Sequence, residues 1–131
     1  MTRWTNPVFV DEKFDAKKKF GDRRGIYQFS ISRSIAYPKM AGKGIYIGKS
    51  SDLGGKVSDH LKKSDSKSLR AYISSRNKIY VSVKRAPAKG RTYLKTMETN
   101  ALNELYYFVE SNMIMFMYLP ENVARLLRFD P

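Results

Sequence analysis

The stretch Gly44-Ile45-Tyr46-Ile47-Gly48-Lys49-Ser50 reads GIYIGKS, and it indicates the fold because a similar run lies upstream of it. That run, GIYQFSIS at residues 25–32, also begins Gly-Ile-Tyr. Both are rich in β-branched and aromatic residues, which are typical of strands. Pro38 and Gly42 indicate a turn, so the intervening RSIAYPKMAGK is interpreted as a long hairpin connection. We therefore expect two antiparallel strands, each carrying a tyrosine near its middle.

A short helix is predicted directly after the second strand. The segment 52–63 has an apolar residue at every fourth position, which forms one helical stripe: Leu53, Val57 and Leu61. Ser51 and Asp52 precede this stripe and are suitable N-caps. Gly54 and Gly55 each weaken a helix by roughly 1 kcal/mol relative to alanine. We therefore expect a backbone or a ligand to approach closely at these glycines.

The remaining elements complete an α+β fold. SLRAYISS (68–75) predicts a short helix, KIYVSVKRA (78–86) a third strand, and Tyr93 to about Met117 a long helix. The predicted order is β-β-α-α-β-α, a small three-stranded, mainly antiparallel sheet flanked by helices. Residues 1–24 are interpreted as a basic N-terminal arm or a short extra element.

Charge is the strongest compositional signal. The 131 residues include 25 Lys and Arg against 12 Asp and Glu, for a formal net charge of +13. Such an excess normally serves a polyanionic partner. Nucleic acid is the first candidate, an anionic membrane surface is the second, and a generally basic solubility surface is the third.

The sequence also excludes several classes of protein. It has no cysteine, which removes disulfides, thiol nucleophiles and zinc fingers. It has no signal-peptide pattern at its start and no apolar run of 18 residues. We therefore expect a soluble, intracellular protein that is neither secreted nor membrane-spanning.

Several of these residues together resemble the GIY-YIG nuclease family. The resemblance rests on GIY and YIG, a basic residue, a histidine four residues later and a glutamate in LKTMETNAL: Tyr27, Tyr46, Lys56, His60 and Glu98. It covers residues 25–112, and it leaves 113–131 as a C-terminal extension packing on that domain. It implies a metal-dependent DNA endonuclease that hydrolyses phosphodiester bonds, with Mg²⁺ (or Mn²⁺) as its cofactor. Homing, restriction, repair or phage-borne roles would all fit.

The spacing of Lys56 and His60 places both on one face of the predicted helix, so both can reach one phosphate. His60 is the only histidine, so any imidazole chemistry must use it. The alternative is an exposed helical histidine without a role. The family usually has arginine where this chain has Lys56, and lysine offers a point charge rather than a bidentate fork.

The resemblance gives Tyr27 the role of taking the proton from the attacking water, with His60 as the second choice. Tyr46 would orient the water or the phosphate. A phenol is a poor base at neutral pH unless a cation stabilises its phenolate. Cross-strand aromatic packing is the alternative explanation for both tyrosines.

Glu98 is the predicted metal ligand. A carboxylate on a largely buried helix needs a partner, and phosphodiester chemistry needs a hard cation. A surface glutamate without a role is the alternative, and Glu104 is the second choice of ligand. The family's late asparagine is not identified: neither Asn112 nor Asn122 is well supported.

DNA is the expected partner, bound by the basic segments DAKKKFGDRR and KRAPAKGR. Candidate contacts to the DNA backbone are five basic residues: Lys49, Lys84, Arg85, Lys89 and Arg91. A homodimer could form through the apolar set Met113, Met115, Phe116 and Met117, or the same residues could be core. The competing hypothesis is a catalytically degenerate nucleic-acid-binding module of the same fold. The lysine at position 56, the double glycine in the predicted helix and the unassigned asparagine favour it.

Overall fold

The computed structural model describes residues 3–36, 41–63, 69–70, 73, 78–87 and 91–105. Within them the elements follow in this order: β1 (Val8–Phe9), α1 (Ala16–Phe20), β2 (Gly25–Ala36), β3 (Ala41–Ser50), α2 (Leu53–Lys63), β4 (Tyr80–Arg85) and α3 (Arg91–Leu105). The fold is therefore α+β, as the sequence predicts. Of the predicted helix at 68–75, the described residues 69, 70 and 73 are helical.

The sheet has four antiparallel strands in the order β1-β4-β2-β3. The prediction of three strands is wrong by one, because β1 pairs with β4 through Val8↔Val81 and Phe9↔Tyr80. Two residues are too few to show the alternation of apolar and polar residues that marks a strand. Both β1 and α1 lie in the segment interpreted as an arm or extra element.

The hairpin of β2 and β3 confirms the two strands that begin Gly-Ile-Tyr. It also extends further than predicted, because Ile35↔Gly42 and Ala36↔Ala41 pair within the segment expected to connect them. Backbone groups can pair along a hairpin without an apolar pattern, so composition does not mark this extension. Register shifts fall between Phe29 and Ser30 and between Ser30 and Ile35.

The central strand β2 lies between β3 and β4, and its apolar residues are the middle of the core. Tyr27 pairs with Gly48 on one side and with Val83 on the other. The fully buried aliphatic and phenylalanine side chains of the described strands and of α2 include Ile26, Phe29, Ile45, Ile47, Leu53, Val57 and Val81. The apolar stripe of α2 thus packs against the sheet that carries both tyrosines.

Helix α2 begins where the sequence places its cap. The Gly55 amide donates to the Asp52 carboxylate at 3.1 Å, and the Asp52 amide donates to the Ser50 hydroxyl at 2.9 Å. This side-chain capping satisfies a backbone donor that the first turn of a helix leaves without a partner. The predicted cap at Asp52 is confirmed.

Gly54 lets α2 approach α1 closely, as its unfavourable helix propensity suggested. A Cβ atom at this position would lie 2.5 Å from the Gly21 carbonyl oxygen, 2.8 Å from the Lys17 Cα and 3.0 Å from the Ala16 carbonyl oxygen. The Gly54 amide donates to the same Gly21 carbonyl at 2.8 Å. These contacts are all backbone atoms, so no rotamer change can relieve them.

Gly54→Ala is therefore expected to destabilise the protein by about 1–3 kcal/mol, because overcrowding outweighs the gain in helix propensity. Gly55→Ala is the matched control, since its Cβ would meet only the Asp52 side chain. There the propensity gain and the weakened cap each amount to about 1 kcal/mol and offset one another. Urea denaturation of both variants measures the difference. Equal midpoints would contradict this account of the α1–α2 contact.

Candidate active site

Three aromatic side chains from three elements meet on the face of the sheet that α2 covers. They are Tyr27 from β2, Tyr46 from β3 and His60 from α2. The ring centroids of Tyr27 and Tyr46 are 6.2 Å apart, and His60 lies 5.4 Å from Tyr27 and 5.1 Å from Tyr46. The structure thus brings together three of the five side chains that the sequence selects as catalytic.

The Tyr27 hydroxyl and the His60 Nε2 atom are hydrogen-bonded at 2.7 Å. Both residues are buried, with 1% and 4% of their surfaces exposed. A neutral imidazole can accept the phenol proton at Nε2 or donate its own proton to the phenol oxygen, depending on its tautomer. The pair therefore offers two positions for one proton, and a proton accepted by either residue can be passed to the other.

Close packing against Tyr27 explains why position 48, directly after Tyr46 and Ile47, is a glycine. A Cβ atom there would lie 2.3 Å from the Tyr27 hydroxyl oxygen and 2.4 Å from the ring carbon that bears it. The first tyrosine motif therefore packs directly on the glycine of the second. Sequence reasoning did not give Gly48 a role, although a glycine inside a predicted strand is a signal of close approach.

Lys56 and His60 line the same surface cavity, which has a volume of about 340 Å³. Asp59, Lys62 and Lys63 complete its described lining. Lys56 is half-buried, and its position one turn before His60 directs both toward this space. His60 is thus the residue of the hydrogen-bonded pair that borders the cavity.

Glu98 lies in α3 and is 2% exposed. Its Oε1 atom pairs with the Lys49 ammonium at 3.3 Å, and that lysine side chain is 41% exposed. Burial raises the pKa of the Glu98 carboxyl, while the positive charges of Lys49 and Lys95 act in the opposite direction. Desolvation is the largest of these effects, so the ion pair compensates only part of the cost of burying this charge.

The second oxygen of Glu98, Oε2, is buried and has no hydrogen-bond partner within the part of the chain that the structure describes. An unsatisfied buried carboxylate oxygen is costly, and a hard cation is the ligand that would satisfy it. The described residues contain no group of three or more histidine, aspartate or glutamate side chains that could hold a metal ion. Mg²⁺, however, is usually held by one or two carboxylates with water completing its shell. Glu98 supplies one such carboxylate, and because its Oε2 atom is buried, a hydrated cation reaches it only when neighbouring side chains move.

Of the other candidate site residues, some lie among the described residues and some do not. Lys84 and Arg85 end β4, and Arg91 begins α3. Glu104, the second choice of metal ligand, lies near the end of α3. The remaining candidates lie outside the described residues: Lys89, Asn112, Asn122 and the apolar set Met113, Met115, Phe116 and Met117. Lys49, selected as a contact to the DNA backbone, is found beside Glu98.

Comparison with known proteins identifies no relative of this chain. No family model matches the chain, and neither the curated proteins nor the solved structures contain a match to it. Among the described residues, no helix has the length and apolar character needed to cross a membrane.

Proposed function

We propose that this chain is a metal-dependent DNA endonuclease of the GIY-YIG type. The observation that carries the proposal is the 2.7 Å hydrogen bond between Tyr27 and His60, with Tyr46 packed against both rings. A binding module would have no need to bury a proton-sharing pair beside a basic cavity. A perturbed buried carboxylate, Glu98, is the second supporting feature, since such groups are typical of functional sites.

In this proposal, DNA enters the cavity bordered by Lys56 and His60. Lys56 neutralises the scissile phosphate, and Tyr46 orients the phosphate or the attacking water. The Tyr27–His60 pair takes the proton from that water as its oxygen bonds to phosphorus and the bond from phosphorus to the 3′ oxygen breaks. Because the two residues share a hydrogen bond, the accepted proton can be held on the imidazole. The leaving 3′ oxygen then takes a proton from solvent.

Glu98 is the residue that would hold the metal, through the buried Oε2 oxygen. When bound there, Mg²⁺ or Mn²⁺ would neutralise charge on the phosphate and on the leaving oxygen. Lys49 favours the ionised carboxylate by placing its ammonium 3.3 Å from Oε1. Electrostatic stabilisation of this kind usually contributes more than any other single effect to the rate of such reactions.

The direct test is incubation of the folded protein with supercoiled plasmid in Mg²⁺ or in EDTA at matched protein concentration. Conversion to relaxed and linear forms in Mg²⁺ alone is the expected result. Binding without conversion in either Mg²⁺ or Mn²⁺ would support the competing hypothesis of a degenerate DNA-binding module.

A further prediction concerns the contribution of Lys56 to the cleavage rate. Lys56→Ala is expected to lower the cleavage rate at saturating protein by at least about 100-fold, the usual scale for removing one preorganised electrostatic group. Lys56→Arg is the matched variant, and it should retain much of the activity because it keeps the charge. Plasmid nicking by both variants measures the effect. A fully active Lys56→Ala would make this residue a solvated surface lysine.

A further inference from the structure

A chain of cavities extends from His60 across α2 to α1. The cavity that Lys56 and His60 border adjoins a second one, of about 560 Å³, because Lys62 lines both. The second cavity runs between the last turns of α2 and the start of α1, and it shares Lys13 with a third. We call this path the α1–α2 groove; its basic residues other than Lys56 are Lys13, Lys17, Lys18, Lys19, Lys62 and Lys63.

The groove is positively charged along its whole length. Its described lining contains three carboxylates, Glu12, Asp15 and Asp59, against the six lysines and Lys56. Asp15 also caps α1, since it accepts a hydrogen bond from the Lys18 amide at 3.2 Å. Lysines outnumber carboxylates in each of the three cavities, and a recessed surface with an excess of one charge concentrates ligands of the opposite charge.

The two sides of the groove are fixed relative to one another. The Gly54 amide bonds the Gly21 carbonyl at 2.8 Å, and the Leu53 amide bonds the Arg23 carbonyl at the same distance. Ala16 and Phe20 of α1 are buried in the same core cluster as Leu53. The backbone positions of the α1 lysines are therefore fixed beside those of α2, and a ligand can contact both sets without ordering a flexible segment.

We propose that the α1–α2 groove binds the phosphate backbone of duplex DNA leading to the Tyr27–His60 pair. The inference that this DNA is the substrate rests on the proposed function, whereas the binding itself does not. The groove is recessed at each of its cavities and meets the cavity of His60 at Lys62, so a phosphate backbone can lie along it. An anionic bilayer is flat and would contact only the rims. Three of its lysines, Lys17, Lys18 and Lys19, lie in the basic segment DAKKKFGDRR that the sequence suggests as a DNA contact. Its described lining does not include Lys84, Arg85 or Arg91.

The test is a salt titration of duplex binding in EDTA, in which the fluorescence anisotropy of a labelled duplex reports binding. The variant Lys18→Gln/Lys19→Gln/Lys62→Gln should weaken binding at least about 10-fold and lower the slope of log K against log salt by about two to three, since each lost phosphate contact lowers it by about 0.9. The control Arg3→Gln/Lys43→Gln/Lys78→Gln removes the same charge from exposed residues outside the groove. It should change the slope little.

Three results would overturn the proposal. One is an equal effect of the groove and control variants, which would mean that net charge alone matters. Another is a larger effect of Lys84→Gln/Arg85→Gln, which would place the DNA on the end of β4. The third is a groove variant that keeps DNA binding but loses binding to phosphatidylserine vesicles. If the parent binds in the groove as expected but never cleaves DNA in Mg²⁺, only the proposed function fails.

Discussion

Glu98→Gln is expected to abolish Mg²⁺-dependent cleavage and to stabilise the folded protein at neutral pH. The loss of rate should be at least about 100-fold, because the amide cannot supply the anionic oxygen that holds the cation. DNA affinity at low salt should be retained, since our proposal assigns it to the lysines of the α1–α2 groove. Single-turnover nicking at saturating protein separates the two effects. Asp22→Asn, a neutralised carboxyl at an exposed residue, is the control.

The stability effect follows from the direction of the Glu98 pKa shift. Burial raises the folded-state pKa above the ordinary value, so the folded state binds more protons than the unfolded state as pH rises through that range. The stability that the protonated carboxyl provides is complete below the unfolded pKa and is lost as pH rises through the folded pKa. Glutamine does not titrate, so its advantage over the parent should grow from pH 4 to pH 7.

Metal binding gives this prediction a readout that does not require catalysis. Mg²⁺ bound to Glu98 in the folded state should raise the stability of the parent, by about 2.7 kcal/mol at a hundred times the dissociation constant. It should leave Glu98→Gln unchanged. If Glu98→Gln cleaves like the parent and the parent gains no stability from Mg²⁺, the ligand assignment is wrong. Glu104 would then be tested next.

Gly48→Ala is expected to lower cleavage strongly through a single added methyl group. That methyl would lie 2.3 Å from the Tyr27 hydroxyl oxygen, so the phenol must move away from His60. Loss of the aligned pair should reduce the rate by about 100-fold or more, the range attributed to general acid–base groups. Crowding a packed core also costs about 1–3 kcal/mol of stability.

Gly44→Ala on the same strand is the matched control. Its Cβ would meet the carboxamide of Gln28, the far end of a flexible, half-buried side chain that can turn aside. Cleavage by Gly44→Ala should therefore be close to that of the parent. Single-turnover rates, measured where both variants remain folded by circular dichroism, compare the two positions. An active Gly48→Ala would show that the Tyr27 hydroxyl is not needed in its observed place.

Local patterns predicted the local structure. The strands of the two tyrosine motifs, the cap at Asp52 and the apolar stripe of α2 all follow from residues close together in the chain. Gly54 also gave a usable signal, because its cost to the helix implied a close contact. No sequence signal marked β1, since a two-residue strand forms only by pairing with its partner β4.

The contacts that define the site depend on tertiary structure. Tyr27 and His60 are 33 residues apart, and Lys49 and Glu98 are 49 apart. Chemical type and a resemblance could select these residues, but no spacing rule specifies their distances. The contact of Gly48 with Tyr27 depends on the register of β2 and β3, and a shift of one residue in that register would remove the contact. The pairing of Lys49 with Glu98 could not be predicted, because a lysine in a basic chain more often faces solvent.

The central claim is that Tyr27 and His60 act as one pair in metal-dependent cleavage. The most direct measurement is the single-turnover cleavage rate in Mg²⁺ of the parent, Tyr27→Phe, His60→Gln and the double variant, with saturating protein. We expect a loss of about 100-fold or more in each single variant and no further large loss in the double, because groups that act as a unit are not additive. Parent activity that survives in Tyr27→Phe, or a parent that does not cleave, would contradict the account.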